Sequence, residues 1–395
     1  MTTRNILKHF RFTIVALLLL IPTNLFADFV FSDEYGWALD LPESFYLKQK
    51  DGNTSFYFEH DFMQAKVAIK LFNQNEYKDA NEALYVSLDK LKADGEINTF
   101  EWQGQECSIA NFSFSLPYDD VQYKGYACAV TIPKSKAHFV LLSYSDEKVF
   151  TDLEQFLLSI LDSLYISDES FVTPGLVTTF AFPKSEDCKI EISINNQNIQ
   201  SKIDKDAVDA SAFVIEREYA VLSLYADKDN WQSAWARYYR MIFRDTYSRL
   251  ENISLDLQKA LWEKAQAAAF QNKTTVQYEY SQILLLWVQN LEIGTTSNKT
   301  DFTPIPSIFF GAKSDCDSRS LLMCILLEHT NIDCTLFVSR EYGHAIFGCK
   351  TDSKGYFISV GDVNYTLGET TAHVALGVIA QEQSDITKWL PITLP

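Results

Sequence analysis

The stretch that most constrains this chain is a polar decapeptide, Gly311-Ala312-Lys313-Ser314-Asp315-Cys316-Asp317-Ser318-Arg319-Ser320, running straight into Leu321-Leu322-Met323-Cys324-Ile325-Leu326-Leu327. The first part is turn-forming and the second is apolar enough to be a buried helix. Ser314 and Asp315 are both good N-cap residues, so the helix is expected to start beside them. Cys316 then sits in the first turn of a helix whose body enters a core. Free N–H groups and the positive end of the helix dipole favour a thiolate there. A thiolate is the nucleophile of cysteine catalysis. Taken alone, such a cysteine is as consistent with a structural role at a helix end.

The segments downstream of the cysteine weigh toward chemistry. Cys334 to Ser339 is a strand by its β-branched and aromatic content. A short polar turn, Arg340 to Gly343, leads into a second strand, His344 to Cys349. A nucleophile on a helix start, then a His at a strand start, then an acid is the order of a Cys–His–acid triad. Two acids are candidates for the third place. A tight turn at 352–354 would set Asp362 across the ladder from His344. Alternatively, Gly361-Asp362 is itself a turn, because Gly-Asp is turn chemistry and Asp is poor in strands. The chain then delivers Glu369. The residues themselves leave both arrangements open, with Glu369 and Asp362 as the two candidate acids.

The motifs Ser314-Asp315-Cys316-Asp317-Ser318-Arg319-Ser320, Tyr342-Gly343-His344-Ala345 and Glu369-Thr370-Thr371, in that order, resemble those of the bacterial transglutaminase-like cysteine peptidases. The resemblance covers roughly residues 275 to 380. Ser314 stands where the family usually has glycine, and Thr370 where proline is frequent. The resemblance implies Cys316 as nucleophile, His344 as base and Glu369 as the residue orienting the imidazole. It also implies Gln289, in Trp287-Val288-Gln289-Asn290-Leu291, as an oxyanion donor, although the residue by itself is as well read as a surface or capping glutamine. The implied substrate is a protein or peptide, attacked with no cofactor. Water would be the acceptor in a peptidase or amidase, an amine in a transglutaminase. A fold kept for binding or assembly without turnover is the other class.

The rest of the chain frames that unit. Residues 1–27 have the form of a secretory signal: Arg4, Lys8 and Arg11, then a mostly apolar run of about ten residues, then Pro22 and a small residue, Ala27. The run is too short for a bilayer span, which takes about twenty apolar residues. No cysteine comes after the expected cut. An exported chain, periplasmic or extracellular, without a membrane span once mature is therefore expected. The net charge of −18 argues against nucleic acid and anionic membranes as partners. Seven cysteines leave one thiol over if the rest pair, and Cys316 is the natural free one. Cys107 could pair with Cys128, and Cys334 with Cys349 across the hairpin; the alternative is that all six are reduced. No spacing suits zinc, so no metal is expected.

Residues 28–167 alternate short strands (36–41, 55–59, 66–72, 107–116, 123–132, 138–145) with helical patterns at Leu84-Leu88-Leu91 and Phe150-Leu153-Leu157-Ile160-Leu164. The expected fold there is an antiparallel sheet with helices on one side, an α+β layer. Its opening, Tyr35-Gly36-Trp37-Ala38-Leu39-Asp40-Leu41-Pro42, resembles PsbP and Mog1-like domains, which implies a binding or positioning role. Residues 168–228 lean to β, including 211–225, and are expected to form a small β-rich linker. From 229 to 395 helices over 231–242, 255–261 and 276–291 lead into the cysteine motif, giving a papain/transglutaminase-like helix-plus-sheet domain. The Thr-, Ser- and Asn-rich loop 294–306 could line a cleft.

Overall fold

A computed structural model describes residues 29–116, 121–294, 300, 302–351 and 355–395. The signal-like segment and the 352–354 turn lie outside the described residues.

The chain is α+β, built from antiparallel sheets and helices. It opens with β1 (Phe29–Ser32) and β2 (Trp37–Asp40). Then come β3 (Phe45–Asp51), β4 (Ser55–His60), β5 (Ala65–Phe72), α1 (Ala80–Lys90), β6 (Asp94–Trp102), β7 (Gln105–Ser115), β8 (Gln122–Thr131), β9 (His138–Asp146) and α2 (Glu147–Asp162). Strands β3 to β9 form one antiparallel sheet in the order β3-β4-β5-β9-β8-β7-β6. A short β10 (Leu164–Tyr165) pairs with β2, which also pairs with β1.

The helices cover both faces of the large sheet, not one side as the sequence pattern suggests. Cys128, Val130 and Leu141 pack with Phe150, Phe156 and Leu157 of α2. Their alternate neighbours Ala127, Ala129 and Val140 pack with Ala83, Leu84 and Leu88 of α1. A strand buried on both faces reads as a continuous apolar run instead of an alternation, as Phe139 to Leu142 does.

Next come α3 (Leu176–Ala181) and a hairpin, β11 (Asp187–Ile194) and β12 (Gln197–Asp204), turning at Asn195-Asn196 with φ of 50° and 58°. The stretch 211–225, expected as β, is helix α4 (Ala207–Ser223). Its buried residues fall at helical intervals, the β-branched Val214, Ile215 and Val221 among them: Ala207, Ala210, Ser211, Val214, Ile215, Glu218 and Val221 are all buried. Tertiary packing on one helical face overrides the local β-propensity.

Helices α5 (Trp231–Arg249), α6 (Glu251–Asn272), α7 (Val276–Gln289), α8 (Ile305–Ile308) and α9 (Cys316–Glu328) come after it, then β13 (Cys334–Ser339), β14 (His344–Cys349), β15 (Phe357–Val360), β16 (Val363–Gly368) and β17 (Leu390–Thr393). These five strands are ordered β15-β16-β14-β13-β17. Helix α9 is buried from Ser318 to Leu327 and packs on β13 and β14. The hairpin β11–β12 joins that same core through Ile190, Ile192 and Ile203.

Four buried guanidiniums tie this layer to the N-terminal strands. Arg237 Nη1 donates to Glu218 Oε2 at 2.7 Å and its Nε to the Asp40 carbonyl at 2.9 Å. Arg240 reaches both carboxylate oxygens of Asp40 at 3.0–3.1 Å. Arg217 bridges Asp162 (2.5 Å) and Glu218 (2.8 Å). Arg244 donates to the backbone carbonyls of Asp162, Leu164, Ser170 and Thr173.

Breaking one side of a buried ion pair strands the other charge, which typically costs about 3 to 5 kcal/mol. Arg217→Met should therefore lower the unfolding free energy by about that much. Urea denaturation would read it as a fall in midpoint at constant slope. A loss under about 1 kcal/mol would mean that these pairs are solvated in solution, as surface pairs are.

Candidate active site

Helix α9 starts where the capping chemistry places it. Asp315 is the N-cap and accepts from the Ser318 backbone N–H and hydroxyl, both at 2.7 Å. Its other oxygen accepts from the Thr303 N–H at 3.1 Å, pinning the loop before the helix. Cys316 is the first helical residue and is partly accessible. All seven cysteines are free thiols. Cys107 and Cys128 are out of register, opposite Val130 and Ile109, whereas Cys334 and Cys349 do face each other.

Two strands bring the other groups to the same place. His344 opens β14, and Ser320 of α9 donates to the adjacent Ala345 carbonyl at 3.2 Å. Glu369 comes directly after the end of β16, whose Gly368 lies opposite Phe347 of β14. A Cβ on Gly368 would strike the Phe347 ring, so glycine lets this strand end come close. His344 Nε2 and Glu369 Oε2 are 2.7 Å apart. The second oxygen of Glu369 accepts from the Thr371 N–H (2.7 Å) and hydroxyl (2.6 Å). Burial alone would raise the Glu369 carboxyl, but the His344 and Thr371 hydrogen bonds outweigh it and hold it below its ordinary value. With Nε2 engaged, Nδ1 is the ring nitrogen left for chemistry. The Trp389 ring lies 6.3 Å from the imidazole and stacks at a tilt on Tyr342.

Asp362 is not part of this cluster. It sits exposed in the β15–β16 turn after Gly361, whose φ is +58°. Gln289 is close but does not serve as an oxyanion donor here: its amide nitrogen donates to the carbonyls of Glu369 (2.8 Å) and Val374 (2.9 Å). It secures the turn that carries Glu369. Of the other histidines, His329 stacks on Tyr247, His60 and His138 lie in the N-terminal sheet, and His373 is exposed.

Arg319 lies inside the cysteine motif, and its sequence neighbourhood alone assigns it no role. It is fully buried and donates to the Ser314 hydroxyl (2.8 Å), the Leu291 carbonyl (2.6 Å) and the Thr370 carbonyl (3.2 Å). It thus ties the cysteine loop, the end of α7 and the residue after Glu369 together. Ser314 and Thr370 are both partners in this clamp. A lone arginine entering an otherwise apolar helix is the signal that points to it.

The thiol is not the activated one that its helix position suggests. Burial pushes the Cys316 thiol up, and the neighbouring carboxylates of Asp317 and Asp315 add to this; a hydrogen bond from the Ala345 backbone works the other way. Desolvation and nearby negative charge both disfavour the thiolate. Asp315 is itself raised to about 6 by burial.

No family model and no curated protein matches the chain. Among solved structures, a mutant of the protein Mog1 is 9% identical with a TM-score of 0.28, covering 36% of this chain and 96% of that one. A cyanobacterial PsbP from Synechocystis is 11% identical with a TM-score of 0.29, covering 37% and 96%. LpqN of Mycobacterium tuberculosis, described as involved in cell envelope biogenesis, is 14% identical with a TM-score of 0.25, covering 35% and 90%. The N-terminal part thus has Mog1-like and PsbP-like neighbours. No helix among the described residues is long and apolar enough to cross a membrane.

The site's electrostatics generate two measurements. Asp317→Asn keeps an acceptor for the Tyr239 hydroxyl, now 3.0 Å from the carboxylate, but removes a charge beside the sulfur. Iodoacetamide labelling of Cys316 at pH 7, with peptide mapping of the product, should speed up, since a lower thiol pKa raises the reactive thiolate fraction. An unchanged rate would show that the carboxylate does not set the thiol. For Glu369 the folded pKa lies below the unfolded value, about 4.3. Its stabilisation is therefore fully present above that value and lost as pH falls through the folded one. The stability gap between wild type and Glu369→Gln should be flat above about pH 5 and shrink below about pH 4.

Proposed function

We propose that the chain is an exported, transglutaminase-like cysteine hydrolase, a peptidase or amidase, whose C-terminal part carries a papain/transglutaminase-like fold. Cys316 is the nucleophile, His344 the base and then the acid, and Glu369 the residue that orients the imidazole. The observation that supports this most is the 2.7 Å His344–Glu369 pair at the start of the strand against which α9, the helix opened by Cys316, packs.

In the acylation step the Cys316 proton passes to His344 Nδ1 as the sulfur bonds to the substrate carbonyl carbon. Glu369 accepts from Nε2–H and stabilises the imidazolium. Backbone N–H groups at the start of α9 face the developing oxyanion, an interaction worth roughly 3 to 4 kcal/mol per donor where it has been measured. The amide C–N bond breaks and the leaving amine takes the proton from His344. Water, activated by the same imidazole, then cleaves the thioester; an amine in its place would make the enzyme a transglutaminase. The N-terminal domain, with its Mog1-like and PsbP-like neighbours, holds or positions the substrate.

One observation favours a second reading, a binding or assembly protein without turnover: burial and the two carboxylates hold Cys316 as a neutral thiol. Incubation with a peptide library and intact-mass analysis of the mixture separates the two. Turnover in the wild type, lost in Cys316→Ala, supports the enzyme; peptide binding without cleavage or adduct supports the second reading. General-base catalysis contributes about 100- to 10,000-fold, so His344→Ala should cost at least about 100-fold in kcat. The side chain is 11% exposed and lies at a strand start, so the variant should stay folded. A folded, fully active His344→Ala protein excludes it as the base.

A further inference from the structure

A cleft of about 950 Å³ lies away from Cys316, between the opening strands and the C-terminal end. This is the size of a small-molecule site. Its walls are mainly aromatic: Phe29, Phe31, Trp37, Tyr165 and Phe171. Phe31 is 63% exposed, an unusual state for a phenylalanine at the mouth of a cavity.

The wall holds one buried cation. Arg240 lines the cleft, is 7% exposed, and sits 5.4 Å from the Phe29 ring centre. Its Nε and Nη2 are spent on Asp40, but among the described residues nothing accepts from Nη1. A guanidinium fork with a free N–H at an apolar wall is suited to an incoming oxygen anion. Burial raises the Tyr165 hydroxyl, on the same wall, to about 12, while Arg244, Arg240 and Arg237 pull it down and Asp40 pushes it up. The exposed Asp33 and Asp168 stand at the mouth, where water screens them.

We propose that this cleft binds a small amphiphile, an apolar chain or ring ending in one carboxylate, with the carboxylate on Arg240 and the apolar body against the aromatic walls. The site is independent of the chemistry at Cys316. The neighbouring guanidiniums favour an anion over a neutral hydroxyl, so the headgroup sets the affinity.

Binding of decanoate, decan-1-ol and acetate to the purified chain would be compared by calorimetry and by the fluorescence of Trp37. Decanoate should bind about tenfold or more tightly than the alcohol, and acetate not measurably, since charge and apolar burial are both needed. Phe31→Glu, at an exposed position, should weaken decanoate about tenfold or more with the far-ultraviolet circular dichroism and melting temperature unchanged, and Phe31→Trp should retain binding. Equal binding of alcohol and acid, or no binding of either, overturns the proposal. So does full affinity in Phe31→Glu, which would place the ligand elsewhere.

Discussion

The architecture depends on the arginines of α5. Arg237, Arg240 and Arg244 fall three and four residues apart, on one face of the helix, and all are buried. Each reaches backbone or carboxylate oxygens of β2, α2 or β10. Without them the opening strands would present uncapped carbonyls at a buried boundary. Arginine suits this because its fork satisfies several acceptors at once and it cannot lose its charge to relieve desolvation. Asp40, which takes Arg240 on its carboxylate and Arg237 on its carbonyl, is the point where the N-terminal strands and the helical layer meet.

The same device recurs on a smaller scale at the cysteine. Arg319 does for the loop, α7 and the Glu369 turn what the α5 arginines do for the larger units, and it too works mainly through backbone carbonyls. Gln289 adds a second clamp on that turn. The residues touching His344 are thus few, while those holding them in place come from four separated segments. Such support is what keeps a hydrogen-bonded pair at a fixed geometry.

This division between local and distant partners explains what the sequence reveals and what it withholds. The helix start at Asp315, the hairpin carrying His344 and the turn that holds Asp362 all rest on local chemistry: a cap, β-branched and aromatic runs, a Gly-Asp turn with positive φ. The clamping roles of Arg319 and Gln289 depend on carbonyls tens of residues away, and nothing in their own neighbourhood encodes a partner. Helix α4 is hidden by its β-branched residues, and its helical spacing matters only once α2 and α5 are there to bury it. The second covered face of the large sheet is partly hidden because Ala110, Ala127 and Ala129 contribute to it beside Phe112, Phe114 and Leu142. Small residues leave room for α1 but give a weak apolar signal. Strands β3 and β6 carry no strand pattern because most of their residues are exposed and polar.

The thiol poses the sharpest physical question. A helix start lowers a thiol's pKa only while its N–H groups see little competing negative charge. Here Asp315 takes the Ser318 N–H and Asp317 sits beside the sulfur, so part of the dipole is answered before the thiol meets it. The Cys316 thiol then rests against Asp317, while the His344 imidazole is held at Nε2 by Glu369. Charge separation would have to occur with the substrate in place, when excluded water strengthens the Glu369–imidazolium attraction and the oxyanion forms near the helix start. In such a site the two carboxylates would suppress adventitious thiol reactions at rest, and the His344–Glu369 pair would supply the drive when a carbonyl arrives. The arrangement therefore suits a nucleophile activated on demand better than a preformed thiolate.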